Sequence, residues 1–497
     1  MGRNIPKEAN VRTYFVQWTG STVDWCDVAR ATIDMLPDVA LLEIFDFYVR
    51  DTYKKQAWHT LVHVCRKWRY VAFGSPRRLN LRLVCGATTP VRDTLDVWPP
   101  LPIVIWPHAF STTWDVGNIV AGLEHNDRIC QMIIFDVPSS GTEKVLAALQ
   151  QPFPALTYLK FVFQYQKENV PVVPASFLGG SAPGLQTLIL NHVPFPGIPN
   201  FLLSATHLVH LRLSHIPHSG YFSPEAMVTA LSVLTRLECL TIHFESPRSL
   251  PDQNSRRLPP QTRTLLPVIT GLTFNGVAEY LEDLVARIDA PLLDKLEIDL
   301  SYELIFDTPR LTQFISRTPK LKTHDEARVR FYEWNVMVKL PRTIYGSIKL
   351  GISCSESDLQ LSSLAQVCSS SFPPALILAV ERLYIESVYC DRLWEDDIED
   401  SQWIELFRPF AAVKELYISS DFTPQIATAL QELGESGTEV LPALEMVFFE
   451  EPLPLGPVQE AIEEFVAAQE FADHPIAISP WDRDEDDYMS DYMSDYN

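Results

Sequence analysis

The sequence predicts an α/β fold in which a short helical module precedes an irregular array of strand-and-helix repeats. Three observations predict it. Apolar residues recur at helical spacing between Asp34 and Phe73. A six-residue pattern, apolar-x-x-apolar-x-apolar, then recurs as far as Phe449. Stretches with helical periodicity separate several of its copies.

Residues 1–33 have weak periodicity and read as a lead-in. In MLPDVALLEIFDFYVRD, Pro37 suits a first helical turn and Asp38 suits the positive end of a helix. Leu41, Phe45 and Tyr48 then recur on one face, with Leu42 and Val49 beside them. After the polar break RDTYKKQ, the segment AWHTLVHVCRKWRYVAF places Trp58, Leu61, Val62, Cys65, Trp68 and Ala72 on one face of a second helix. Gly74-Ser75-Pro76 ends it, so the module covers 34–76. A core of about forty residues is marginal alone, and the apolar face is too broad for a solitary surface helix. The module is therefore expected to pack on something.

Residues 77–475 carry the repeats. Clear copies start at Leu156, Leu185, Leu208, Leu237, Leu293, Val380, Val413 and Leu444; weaker ones start at Ile129, Ile269 and Tyr345. Leu79-Asn-Leu81-Arg-Leu83 reads as an opening strand. Most copies lie roughly 23 to 35 residues apart, and the step from Leu293 to Tyr345 is longer. Each copy ends in a period-2 stretch, as a strand requires, and its outer leucines point into a shared interior. EAMVTALSVLTRL, GVAEYLEDLVARI and PRLTQFISR read as intervening helices. A strand followed by a helix, stacked repeatedly, gives a curved parallel sheet with helices outside, and no single unit can bury its own apolar face. This resembles the leucine-rich repeat, with two differences: the spacing is irregular, and Val193 and Ile216 stand where that repeat carries Asn or Cys. An ordinary α/β domain is the competing reading.

Two segments depart from the pattern. SPRSLPDQNSRRLPPQTRTLLP (246–267) is a Pro-rich polar insert. Residues 476–497 end in WDRDEDDYMSDYMSDYN, which cannot bury a core and is expected to be a disordered acidic tail. RLWEDDIEDSQWIELF (392–407) reads as an acidic helix with a solvated face.

The chain has 497 residues, 46% hydrophobic and 21% charged, with a formal net charge of -23. That is too long for one compact core and sufficient for an array. The acidity argues against nucleic acid as a partner, because a phosphate backbone would be repelled. No run of about 18 apolar residues occurs, so no membrane span is expected. The eight cysteines are scattered and form no Cys-x-x-Cys pair, which suits a reducing compartment. Cytoplasm or nucleus is the expected location.

The helical module resembles the F-box. The resemblance rests on Leu36-Pro37 opening a helix, Leu41, Leu42, Ile44 and Phe45 on it, and Leu61, Val64, Cys65 and Trp68 in a V-C-x-x-W signature. The acidic residue of the usual opening sits one place early, at Asp38, with Val39 and Ala40 following. Phrases such as VHVCRKWR, FGSPRRLNLRLVCG and IDAPLLDKLEID give the chain the look of the expanded F-box families of mushroom-forming fungi. The resemblance implies a substrate-recognition adaptor of an SCF-type cullin-RING ubiquitin ligase. Those ten residues would dock a Skp-like subunit and, through it, a cullin, while the repeat domain binds a protein target. It implies no covalent chemistry. The alternative is a repeat-based interaction scaffold whose F-box has no ligase role. For the docking residues the competing assignment is simple core packing.

Chemical motifs give nothing stronger. His59 and His63 are spaced i,i+4 and lie near Cys65, a spacing that can hold zinc, but no fourth ligand is evident and Thr60 replaces the glutamate of a zinc protease motif. No G-x-S-x-G, G-x-x-x-x-G-K-[ST] or G-x-G-x-x-G occurs. No cofactor and no metal are expected. Positions between the strand leucines, including Tyr158, Gln186, His210, Arg212, His243, Arg382 and Tyr417, are candidates for a target-binding face.

Overall fold

The computed structural model describes residues 36–51, 57–74, 80–86, 90–97, 100–106, 114–135, 137, 139–163, 171–245, 262–301, 308–322, 324–332, 335–341, 347–353, 357–388, 399–436, 440–453 and 456–482. The lead-in 1–33, most of the 246–267 insert, the start of the 392–407 helix and acidic residues 483–497 lie outside the described residues. The chain divides into two units, Met1–Leu79 and Asn80–Asn497.

Among the described residues the first unit holds three helices: α1 (Asp38–Asp51), α2 (Ala57–Val64) and α3 (Arg66–Gly74). Helix α1 starts where the displaced acid stands, with the Leu41 N–H donating to the Pro37 carbonyl at 3.0 Å. The single helix expected over 57–73 is two. The break falls at Cys65, whose thiol accepts from the Trp68 N–H at 3.4 Å and whose carbonyl accepts from Arg69 N at 3.1 Å. Cys65 thus caps α3 as Ser or Asp would, and the chain turns there. Lys67 Nζ donates to the Leu36 carbonyl at 2.9 Å and ties α3 to the start of α1.

In the second unit the repeats become strands. The first seven are β1 (Leu81–Leu83), β2 (Ile103–Ile105), β3 (Ile129–Phe135), β4 (Tyr158–Val162), β5 (Thr187–Asn191), β6 (His210–Ile216) and β7 (Cys239–Phe244). A short strand β8 (Thr264–Leu265) precedes β9 (Gly271–Gly276), and another, β10 (Ile288–Asp289), precedes β11 (Lys295–Ser301). Then come β12 (Glu326–Phe331), β13 (Asn335–Pro341), β14 (Ser347–Ser353), β15 (Arg382–Ser387), β16 (Glu415–Ile418), β17 (Met446–Phe449) and β18 (Ala477–Pro480). Every clear copy of the repeat, and each weaker one, falls on a strand of one 16-stranded sheet. β8 and β10 pair separately, so the last residues of the Pro-rich insert rejoin the fold.

Burial along the strands alternates, as one covered face demands. In β4, Leu159 and Phe161 are fully buried while Tyr158, Lys160 and Val162 are not; β5, β16 and β17 repeat the phase. Val193 and Ile216, which stand where the leucine-rich repeat carries Asn or Cys, are buried with the leucines.

Two features of the array differ from expectation. The sheet is parallel except at β12–β13 and β13–β14, which are antiparallel. β11 pairs with β14 and β12 with β15, so this three-strand meander enters the sheet in reverse order. It accounts for the long step from Leu293 to Tyr345, which holds two added strands. The array also runs past residue 475: β18 pairs with β17 from Ala477 to Pro480, and Trp481 N donates to the Phe449 carbonyl at 2.7 Å. No acidic residue stands between Asp473 and Asp482, so 476–480 read better as an edge strand than as tail.

Successive helices lock together through charged caps. Helix Ala278–Val285 presents the Glu282 carboxylate to the start of helix Pro309–Arg317, where it accepts from Arg310 N at 3.0 Å and Leu311 N at 2.7 Å. At the other end of that second helix, Arg317 donates to the Val285 and Ile288 carbonyls at 2.5 and 2.8 Å and to Asp289 at 2.7 Å. Each helix thereby satisfies orphan groups of its neighbour.

Candidate functional site

Two surfaces carry chemistry that the core does not require. The first is the outer side of the helical unit. Of the ten expected docking residues, four form its core: Leu41, Phe45, Leu61 and Trp68 are buried. The Phe45 and Trp68 rings pack at 4.9 Å between centroids. Leu36, Leu42 and Cys65 are half-buried, and Pro37 is exposed. Only Ile44 and Val64 are large apolar side chains lying open, 43% and 54% exposed. Sequence reasoning missed further open ones: Val39, Phe47, Tyr70 and Phe73. At 100° per residue, Val39 and Phe47 fall on the side of α1 away from Leu41 and Phe45, and Ile44 on the flank between them. Helix α1 is therefore apolar on two sides and buries only one within its unit.

The second surface is the open face of the large sheet. Register aligns its residues into rows. One row runs Ile133, Lys160, Ile189, Arg212, Thr241, Thr273, Glu297 and Lys349 across β3 to β14. It continues Lys339, Arg328, Tyr384, Tyr417, Phe448 and Ser479 to β18. Its last third is an aromatic ladder. Tyr384 and Tyr417 stack at 4.2 Å and 11°, and Tyr417 and Phe448 at 4.3 Å and 4°. The Arg328 guanidinium lies 4.7 Å over the Tyr384 ring. Trp481 reaches over β17 to meet Tyr384 and Tyr417 edge-on at 5.7 and 5.6 Å. Burial, then the hydrogen bond from its hydroxyl to Glu415 at 2.8 Å, pushes the Tyr417 phenol well up, so it stays protonated.

Beside the ladder lies a charged cluster. Arg330 and Glu386 pair at 2.5 Å; Arg328 meets Glu326 at 2.6 Å and Glu386 at 3.6 Å. Arg382 meets Asp325 at 2.8 Å. Farther along the face, His192 and His215 stack with centroids 4.5 Å apart, and His243 packs on His215 at 4.2 Å with the rings tilted by 47°. His192 and His215 both take left-handed backbone, at φ 55° and 50°, and His215 Nδ1 pairs with Asn191 Oδ1 at 3.0 Å. Burial, reinforced by the neighbouring imidazoles, depresses His243 to about 4. His192 and His215 are lowered by burial too.

Tyr158, His210, Arg212, His243, Arg382 and Tyr417 all lie on strands of this sheet. Gln186 precedes β5 and is out of phase with its open-face positions Thr187 and Ile189. Tyr384 and Phe448 were findable, since each follows the second apolar residue of its copy as Tyr417 does. Trp481 and His192 lie outside the repeat pattern, and only register brings them in. The three histidines pack ring against ring, and among the described residues no group of three or more His, Cys, Asp or Glu is placed to hold a metal. The buried Cys85 and Cys368 thiols are each pushed up to about 12 by burial and are protonated at neutral pH. Among the described residues no helix is long and apolar enough to cross a membrane.

No family model matches the chain, and no curated protein does. Among solved structures, the leucine-rich repeat-containing protein LegL7 from Legionella pneumophila is similar, at 12% sequence identity and a TM-score of 0.27, covering 78% of this chain and 97% of that one.

Proposed function

We propose that the chain is a target-binding adaptor: the helical unit docks a Skp-like subunit of an SCF-type cullin-RING ubiquitin ligase, and the open face of the sheet holds a protein target. It performs no covalent step in this reading. The observation that carries the docking half is the two-sided apolar character of α1, with Val39, Ile44 and Phe47 left open on a unit too small to spare apolar surface. Such a face suits helix-to-helix docking. The order of parts, and the Leu36-Pro37 and V-C-x-x-W features, agree with the F-box resemblance. The target half is supported by a polar face that the core does not use, bearing a cation-flanked aromatic ladder; aromatic and Arg side chains are the types that dominate binding energy at interfaces.

The test is co-elution of the full chain with a recombinant Skp-like subunit and cullin. Ile44→Glu with Val64→Glu is expected to abolish it while leaving the circular dichroism and melting temperature unchanged. Undiminished binding by that double variant overturns the docking assignment. Binding of the Skp-like subunit without recruitment of cullin overturns the ligase role.

A further inference from the structure

One row of the open face of the sheet is cationic in a chain that is strongly anionic. Acidic residues number 63 against 40 basic ones overall. Yet the row from β4 to β12 holds Lys160, Arg212, Lys349, Lys339 and Arg328 with Glu297 as its one acid. Lys349 and Lys339 stand directly opposite each other, and like charges so placed destabilise a sheet; Arg328, on the other side of Lys339, is already paired with Glu326 and Glu386. Lys160, Arg212 and Lys349 have no ion-pair partner among the described residues. An anionic occupant would relieve that repulsion.

Trp481 identifies a candidate occupant. It is half-buried against Tyr384 and Tyr417 on this same face, so the chain leaves β18 over the ladder at the end of the cationic row. From Asp482 to Asn497 follow seven acidic residues and one arginine. The fifteen residues after Asp482 span up to about 50 Å extended, at ~3.3 Å each. From Tyr384, Lys349 is three strands away and Arg212 seven, about 14 and 34 Å at ~4.8 Å per strand. The whole row from Arg328 to Arg212 is within reach. Tethering adds an effective concentration of order mM, which no separate acidic segment matches without tighter contacts.

We propose that residues 483–497, which lie outside the described residues, bind the cationic row of their own sheet, with Trp481 as the anchor. The proposal concerns the face itself and does not depend on the ligase reading. It makes the tail an intramolecular competitor for any acidic ligand of that face.

The probe is a fluorescein-labelled peptide of residues 482–497, titrated against the full chain and against a chain ending at Asp482. The shortened chain is expected to bind at least tenfold more tightly than the full chain, and to lose most of that affinity between 50 and 500 mM salt, roughly as counterion competition requires. Arg212→Glu with Lys349→Glu in the shortened chain is expected to abolish binding. Equal affinity for both chains, no affinity for either, or binding indifferent to the charge reversals overturns the proposal. Should the reversed variant fail to fold, zero-length carbodiimide cross-linking of the intact full chain decides. Amide links from Lys349 or Lys339 to the acids at 484–487 within one chain support the proposal. Their absence overturns it, as do links formed only between isotopically distinct copies.

Discussion

Arg330 and Glu386 meet at 2.5 Å between β12 and β15, with the arginine side chain 6% and the glutamate 1% exposed. The pair sits where the antiparallel meander rejoins the parallel ladder, and it fixes that junction with a charge-assisted hydrogen bond. A buried ion pair is not by itself a large net gain, but removing one partner strands a charge. Arg330→Met is therefore expected to destabilise the array by about 3 kcal/mol. Arg328, 3.6 Å from Glu386, offsets part of the loss. The double change Arg330→Met with Glu386→Leu is expected to recover most of it. Urea unfolding midpoints of the parent and the two variants check this; a single variant as stable as its parent would show that the junction is held by other contacts.

The Glu282 cap gives a local prediction. Its two oxygens accept the Arg310 and Leu311 amides, which have no earlier turn of helix to bond. Glu282→Ala is expected to cost about 1–3 kcal/mol. Glu282→Gln keeps one acceptor and is expected to lose less. Amide hydrogen exchange at residues 310 and 311 reads the effect directly, with faster exchange in the alanine variant than in the glutamine one. Unchanged exchange at both sites would refute the capping role.

The histidine stack predicts an acid-sensitive stability. Folded His243 is depressed from 6.5 to about 4, with burial the main cause and the charges of His215 and His192 adding to it. Glu245 opposes the shift at His215, which remains lowered. Between those values the unfolded chain binds more protons than the folded one, so the stability present above pH 6.5 is lost as the pH falls toward 4. His243 alone accounts for a loss on the order of 3 kcal/mol across that window. Denaturation midpoints of the parent and of His243→Gln at pH 7 and pH 5 are the measurement. The parent is expected to drop more than the variant, and parallel drops would assign the acid sensitivity to carboxylates.

In the helical unit, substitution should separate core from surface. Leu41→Glu or Trp68→Glu buries a charge and is expected to melt the unit, lowering the 222 nm signal. Phe47→Glu adds a charge to a residue that is 73% exposed and is expected to change stability by less than about 0.5 kcal/mol. If Phe47→Glu unfolds the unit as readily as Leu41→Glu, the outer face of α1 is already covered in the free protein.

Much of the fold was legible in local pattern. The last two apolar residues of each six-residue copy lie two positions apart, the period of a strand, which shows in sequence, and each copy became a strand. The meander was not legible. β12, β13 and β14 have the same apolar alternation whether their partners run parallel or antiparallel, so their order in the sheet depends on which edges meet. The break at Cys65 was hidden for a related reason. Its apolar neighbours continue the helical period across it, and a thiol is a rare cap.

The site divides the same way. Ten docking candidates followed from sequence, and their spacing could not say which would face inward. That took the packing of α1 on α2 and α3, which buried Leu41, Phe45, Leu61 and Trp68 and left Ile44 and Val64 outside. On the sheet, the sequence by itself determined that Lys160, Arg212, Tyr384, Tyr417 and Phe448 occupy equivalent positions of successive repeats. Only the tertiary structure decided that they form one continuous row, that Lys339 and Arg328 complete it through strands of reversed order, and that Trp481 closes over its end. The physical reason is that strand alternation is a property of a few neighbouring residues, whereas register across a sheet is settled by hydrogen bonds between segments distant in the chain.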